Sequence, residues 1–177
     1  MSNKEYEFTL KFSLPDADVD PETYVSQLGG AGCDDAIIGI GQKGKIALQF
    51  NREADNAYNA VLSAIRDVKS VIPTARLIEA IPDLVGLSDI ADLMGFSRQN
   101  MRKLMLSHSM TFPDPVHTGA SAIWHLSNVL QWFESKQNKR IADSIKEIAE
   151  TNLQVNLVKE TERLDVTFQA RFSSFAR

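Results

Sequence analysis

The stretch LSDIADLMGFSRQNMRKL, residues 87–104, constrains the fold more than any other part of this chain. Leu87, Ile90, Ala91 and Met94 recur at helical spacing. Gly95 then permits a backbone turn at positive φ, and Phe96 closes it. Ser97 is a natural N-cap, because its hydroxyl can accept a bond from an orphan backbone N–H. A second helix follows that turns Met101, Leu104 and Met105 inward and leaves Arg98, Gln99, Asn100, Arg102 and Lys103 mostly outward. The small Ala91 lets the two helices approach, and Met101 locks the second onto the first. The spacing predicts two short helices joined by a tight turn.

In a helix-turn-helix, the N-terminal residues of the second helix meet base edges in the major groove. Arg matches guanine, and Gln and Asn match adenine, through paired hydrogen bonds. Arg98, Gln99, Asn100 and Arg102 are therefore the expected base readers, with Ser97 and Lys103 on phosphates. A plain helical hairpin with a solvated charged face carries the same pattern, so the motif does not decide alone.

The next segment is TFPDPVHTGASAIWHLSNVLQWFE. Phe112-Pro113-x-Pro115-Val116 is barred from helix, since each proline pushes the residue before it to an extended conformation. Gly119 marks a turn, and Ala122, Ile123 and Trp124 read as a short strand, giving a small hairpin beside the helices. Ser127 or Asn128 starts the next helix, with Val129, Leu130, Trp132 and Phe133 as its apolar residues. Over residues 84–136 this succession resembles the winged-helix domain of MerR-like, AlpA-like and excisionase-like DNA-binding proteins. The resemblance implies that the helix from Arg98 enters the major groove and that a wing around His117–Ser121 lies along the backbone or minor groove. Such proteins usually carry Arg or Lys on the wing and beside the strand Trp. This chain has Ser121 and His125 there, so its wing would hold phosphate through His117, Ser121 and His125, the histidines gripping more firmly when protonated.

Charge is distributed unevenly. The chain has 19 Lys+Arg against 23 Asp+Glu, which argues against a broad nucleic-acid coat protein. Residues 1–83 hold 8 basic and 13 acidic side chains (−5), residues 84–140 hold 6 and 4 (+2), and residues 141–177 hold 5 and 6 (−1). Only the segment with the motif is positive, and a balance so small calls for two copies on one DNA. No run of about 18 apolar residues marks a membrane span, and MSNKEYEF reads as neither a signal nor a transit peptide. The single Cys33 excludes an internal disulfide, fits a reducing cytosol, and stands beside Asp34 and Asp35, which disfavour its thiolate.

Residues 1–83 form a unit of their own. Tyr6, Phe8, Leu10 and Phe12 alternate with polar residues at strand period. Asp20-Pro21 opens a helix that Gly29-Gly30 ends. Ala36–Ile40 and Lys45–Phe50 form a hairpin, residues 55–71 a second helix, and Ala75–Ile81 a last strand. The order βαββαβ is that of a ferredoxin-like sandwich, a fold that does not specify function. The string Gly39-x-Gly41-x-x-Gly44 matches a dinucleotide fingerprint by spelling, but a strand follows where a helix is required, so it reads as a turn. Asp16, Asp18 and Asp20 begin like a calcium loop, but Pro21 and Gln27 stand where Gly and Glu are needed. One Cys and three scattered His lack zinc-ligand spacing. No cofactor, no metal and no catalytic constellation are expected.

Residues 138–164 read as a long helix in which Ile141, Ile145, Ile148, Asn152 and Val155 fall at alternating steps of 4 and 3. That is a coiled-coil seam of about two heptads with a polar Asn in it; an amphipathic helix packed on its own chain has the same spacing. Val166, Phe168, Phe172 and Phe175 add apolar residues that could cap a dimer, dock on the central domain or bind a partner.

The expectation is thus an α+β chain in three parts: residues 1–83 a ferredoxin-like sandwich, 84–137 a winged helix-turn-helix, and 138–177 a helical dimerisation tail. Its expected role is that of a cytoplasmic, homodimeric, sequence-specific binder of double-stranded DNA, nucleoid-associated when bound, and a prokaryotic or phage regulator of transcription reading an inverted repeat. The alternative is a protein-interaction or ligand-sensing module, antitoxin-like in one form, that meets its partner through residues 1–83 or the Phe-rich tail.

Overall fold

Alternation of Tyr6, Phe8, Leu10 and Phe12 with polar residues gives the first strand, β1 (Lys4–Ser13), one apolar face, and that face is fully buried. The computed structural model describes residues 3–16, 18–173 and 175, so the extreme ends of MSNKEYEF and of the 138–177 tail lie outside the described residues. Among those described, the chain is α+β, with seven helices, a four-stranded antiparallel sheet and a two-stranded sheet.

β1 pairs along its whole length with β3 (Lys45–Ala54), which places Phe8 opposite Phe50 with their rings stacked 5.2 Å apart. With β2 (Ala36–Gly39) and β4 (Arg76–Ile81) the strand order is β2-β3-β1-β4, every pair antiparallel. Helix α1 (Glu22–Gly30) follows β1, and α2 (Ala57–Val71) follows β3, so the element order is the expected βαββαβ. Asn56 caps α2 by accepting the Asn59 N–H at 2.8 Å, and Ala57, Ala60, Val61, Ala64 and Val68 form its buried stripe. The glycine string 39–44 is a turn between β2 and β3, with Gly44 at φ +69°. The Asp16 and Asp20 carboxylates accept the backbone N–H groups of Asp18 and Glu22 and so serve the loop and the start of α1.

One cation lies inside this unit. Arg52, on the outgoing end of β3, grips both oxygens of Asp35, reaches Asp67 and Ser63, and donates to the Gly32 carbonyl. A buried charge is tolerated only when its donors are met in this way. Beside it, burial first and then Asp67 push the Cys33 thiol up to about 11, so the thiolate is suppressed at neutral pH.

The second unit comprises β5 (Leu84–Gly86), α3 (Leu87–Met94), α4 (Arg98–Ser107), β6 (Ile123–His125) and α5 (Leu126–Gln137). Its core gathers Ile90, Met101, Trp124, Leu130 and Phe133. α6 (Asp143–Thr161) then runs between the two units, and α7 (Val166–Ser173) ends the chain's described helices.

α6 corrects the seam reading. Ile141, Ile145 and Ala149 enter the second core, whereas Ile148 and Val155 enter the first. Asn152 is fully buried and donates to the Pro82 carbonyl at 3.2 Å. Ile141, Ile148 and Asn152 are therefore covered by the chain itself, and half-buried Ile145 and Val155 pack against its two separate cores, so no continuous coiled-coil seam is left. The reason is geometric: two cores flank one helix, and a 4-3 stripe is wide enough to serve both. α6 is also shorter than the expected 138–164, because Asn138 ends α5 in the left-handed conformation and residues 139–142 link the helices.

Polar groups fix α6 in place. Asn156 accepts the Ala80 N–H at 2.9 Å and donates to the Ala80 carbonyl and to Asp83, both at 2.8 Å. Asp83, buried between the units, bonds His125 Nδ1 at 2.7 Å with its other oxygen. Near the start of α6, Glu147 bonds Lys4 and accepts the hydroxyl of the buried Tyr6.

Replacing Asn156 by Ala strands the Ala80 backbone groups and one oxygen of Asp83. We expect a loss of about 2–3 kcal/mol, read as a lower urea midpoint at unchanged slope. Burial, and then the bond to Glu147, push Tyr6 up to about 12 from its ordinary value of 10. Its contribution is thus complete below pH 10 and is lost as pH rises through about 12. Urea titrations at pH 9.5 and 11.5 should show a steeper loss for the wild type than for Tyr6→Phe, and equal losses would refute this origin.

Candidate nucleic-acid interface

The turn between α3 and α4 follows from two residues. Gly95 sits at φ +73° and ψ +30°, the left-handed conformation that ends a helix, and the Phe96 N–H returns to the Ala91 carbonyl at 2.8 Å. Ser97 has extended dihedrals and accepts the Asn100 N–H at 3.2 Å, which starts α4. Asp89 accepts the Gly86 N–H at 2.7 Å and caps α3. The two helices close on Ile90, Ala91, Met94 and Met101, all buried, and Met101 is fully excluded from water.

With Met101 inward, the rest of the first turns of α4 must face out. Ser97, Arg98, Gln99, Asn100, Arg102 and Lys103 are all exposed. Among the described residues, no side chain forms a hydrogen bond or ion pair with the side chains of Arg98, Gln99, Asn100, Arg102 or Lys103. Long cationic and amide side chains held on a rigid helix without internal partners are available to an external acceptor.

One contributor escaped the sequence reading. Lys139, just after α5, donates to the Met94 carbonyl at 2.5 Å and lies 4.7 Å from the centroid of the Phe96 ring. It thereby caps the C-terminal end of α3, where cations are favoured, and shares a groove with Asn100 and Lys103. Lys139 stands 45 positions from Met94, so no local pattern announces it.

The segment after α4 is held by aromatic rings. Trp124 donates to the Pro113 carbonyl at 3.0 Å, Trp132 donates to Thr111, and Phe112 meets both indoles edge-on. His108 packs edge-on against Trp132 and bonds the Leu104 carbonyl, a structural role.

The expected hairpin differs in its pairing. β6 pairs with β5, from Leu84↔His125 to Gly86↔Ile123, while the Pro-rich side contributes only a bridge between His117 and Ile123. Pro113 and Pro115 have no N–H to offer a ladder, which accounts for the short pairing. His117 at the bridge and Ser121 beyond it are exposed on the loop where the wing was expected. Gly119 packs so closely on His117 that an added Cβ would lie 2.7 Å from Nε2.

His125 does not join them. Its Nδ1 is bonded to the buried Asp83 and its side chain is largely covered, so it links the two units instead of gripping phosphate. The physical reason is that a buried carboxylate must find donors, and His125 is one of them.

Comparison with protein-family models, curated proteins and solved structures finds no match to this chain. Among the described residues, no group of three or more His, Cys, Asp or Glu is placed to hold a metal ion, and no helix is long and apolar enough to cross a membrane.

Space around Gly95 is open, with nothing within 4 Å of an added Cβ, so only its positive φ disfavours other residues. Gly95→Ala should therefore cost about 1–2 kcal/mol of stability and leave the core unchanged. Thermal melts together with an unaltered near-ultraviolet spectrum would check this.

Proposed function

We propose that this chain is a sequence-specific binder of double-stranded DNA, with α3 and α4 as a helix-turn-helix, the 117–122 loop as its wing, and α4 as the recognition helix. The observation that carries the reading is the unpartnered set on α4: Arg98, Gln99, Asn100, Arg102 and Lys103 point to solvent while Met101 anchors the helix beneath them. In this reading Arg98, Gln99, Asn100 and Arg102 read base edges. Ser97, Lys103, His117 and Ser121 hold phosphates, and Lys139 stiffens the turn. The βαββαβ unit, with its order β2-β3-β1-β4, is read as ferredoxin-like. The modest positive charge of residues 84–140 favours a dimer on an inverted repeat, as in a prokaryotic or phage regulator.

A second reading, an interaction or ligand-sensing module, draws on the open face of the sheet. There a cavity of about 800 Å³ between the sheet and α3 is lined by Glu7, Lys11, Gln49 and Glu79. Saturable binding of a small molecule to the chain, with no retention of any duplex at low salt, would favour it.

Selection from a random duplex library at ~150 mM salt should enrich one motif with two-fold symmetry. On that motif, Arg98→Ala should lose about 1–3 kcal/mol and relax one base position, whereas Lys103→Ala should weaken all sequences alike and flatten the salt slope by about one. Failure of the folded chain to retain any duplex at ~50 mM salt would sink the reading.

A further inference from the structure

Among the described residues, nothing covers the apolar side chains of α7. Phe168 and Phe172 stack on each other with centroids 6.1 Å apart, yet they are 63% and 59% exposed, and Phe175 is 83% exposed. Phe168 and Phe172 stand four apart on α7, the anchor spacing of a helix that lies in a groove, and Leu164 and Phe175 flank the helix at either end.

A groove of matching chemistry exists on the same chain. Between α2 and α6 lies a cleft of about 820 Å³ lined by half-buried Leu62, Ile65, Leu77 and Val155 and by exposed Tyr58 and Val158. We propose that this cleft receives α7 of a second copy of the chain, and that two copies exchange these helices reciprocally.

Charge is complementary. Residues 163–177 carry three Arg against one Asp (+2), whereas the cleft is lined by Glu147, Glu150 and Glu162 against Lys159, with Lys4 paired to Glu147, which leaves it at −1. Area is sufficient. Two tails, each carrying three exposed phenylalanines, and the two clefts that take them bury on the order of 1,500 Å², within the range of a stable interface.

α7 does not occupy the cleft of its own chain: Val166–Ser173 are all exposed and none of them lines it. Asp165 caps α7 by accepting the Phe168 N–H at 2.9 Å, and the Arg163 and Leu164 N–H groups close back onto Glu160 and Thr161. Residues 162–165 are thus hydrogen-bonded turns, not a slack tether, and Phe168 and Phe172 remain exposed after them. A second copy meets no such restriction.

This pairing deepens the dimeric reading above by naming its surface, and it is tested without DNA so that the two fail separately. Sedimentation velocity of the full chain should show a concentration-dependent dimer. The tail variant Phe168→Ser/Phe172→Ser and the cleft variant Val158→Arg should each associate about 100-fold more weakly. Tyr58→Arg repeats the cleft test at a second exposed position, and circular dichroism verifies folding.

A wild type that stays monomeric up to ~100 µM overturns the proposal. So does a dimer that survives the cleft variants, which would mean that tails stick to tails. A dimer unaffected by the tail variant overturns it as well. A dimer lost in both kinds of variant supports it, whether or not the chain retains DNA.

Discussion

The structure depends on α6 serving two cores at once. Ile148 completes the apolar face of the four-stranded sheet, and its neighbour Ala149 completes the core beneath Trp132 and Phe133. Asn152 and Asn156 hold the short link between the units, residues 80–83, through side-chain bonds to backbone and to Asp83. Buried polar groups of this kind specify one arrangement, because any slip leaves them without partners. The exposed set on α4 is thereby carried on a frame tied to the sheet through α6 and Asp83, instead of hanging on a flexible linker.

Local signals were the legible ones. Gly95 and Ser97 announce a turn by chemistry that acts within three residues, and the structure places the turn there. The alternation in β1 and the stripe of α2 likewise predict their elements, because burial follows period directly. The element order came from these periods, while the strand order needed the structure.

What stayed hidden depends on contacts distant in sequence. A helical stripe records that a face is covered and says nothing of whose atoms cover it, so Ile141, Ile145, Ile148, Asn152 and Val155 read equally as seam or core. His125 stands beside a strand Trp at the expected edge of a wing, but its partner Asp83 lies 42 positions upstream. β5, the true neighbour of β6, is three residues long, too short to show alternation. Lys139 has no motif around it at all.

The bond between Asn156 and Ala80 has a consequence for the sheet as a whole. An antiparallel sheet has two outer edges, and each is a template on which a foreign strand can grow. Here one edge, β4, has the outward N–H and C=O of Ala80 occupied by a side-chain amide. The other, β2, is only four residues long and ends at Gly39, although Ile37 stands exposed on it. Strand-by-strand polymerisation therefore finds one edge obstructed and the other too short to extend.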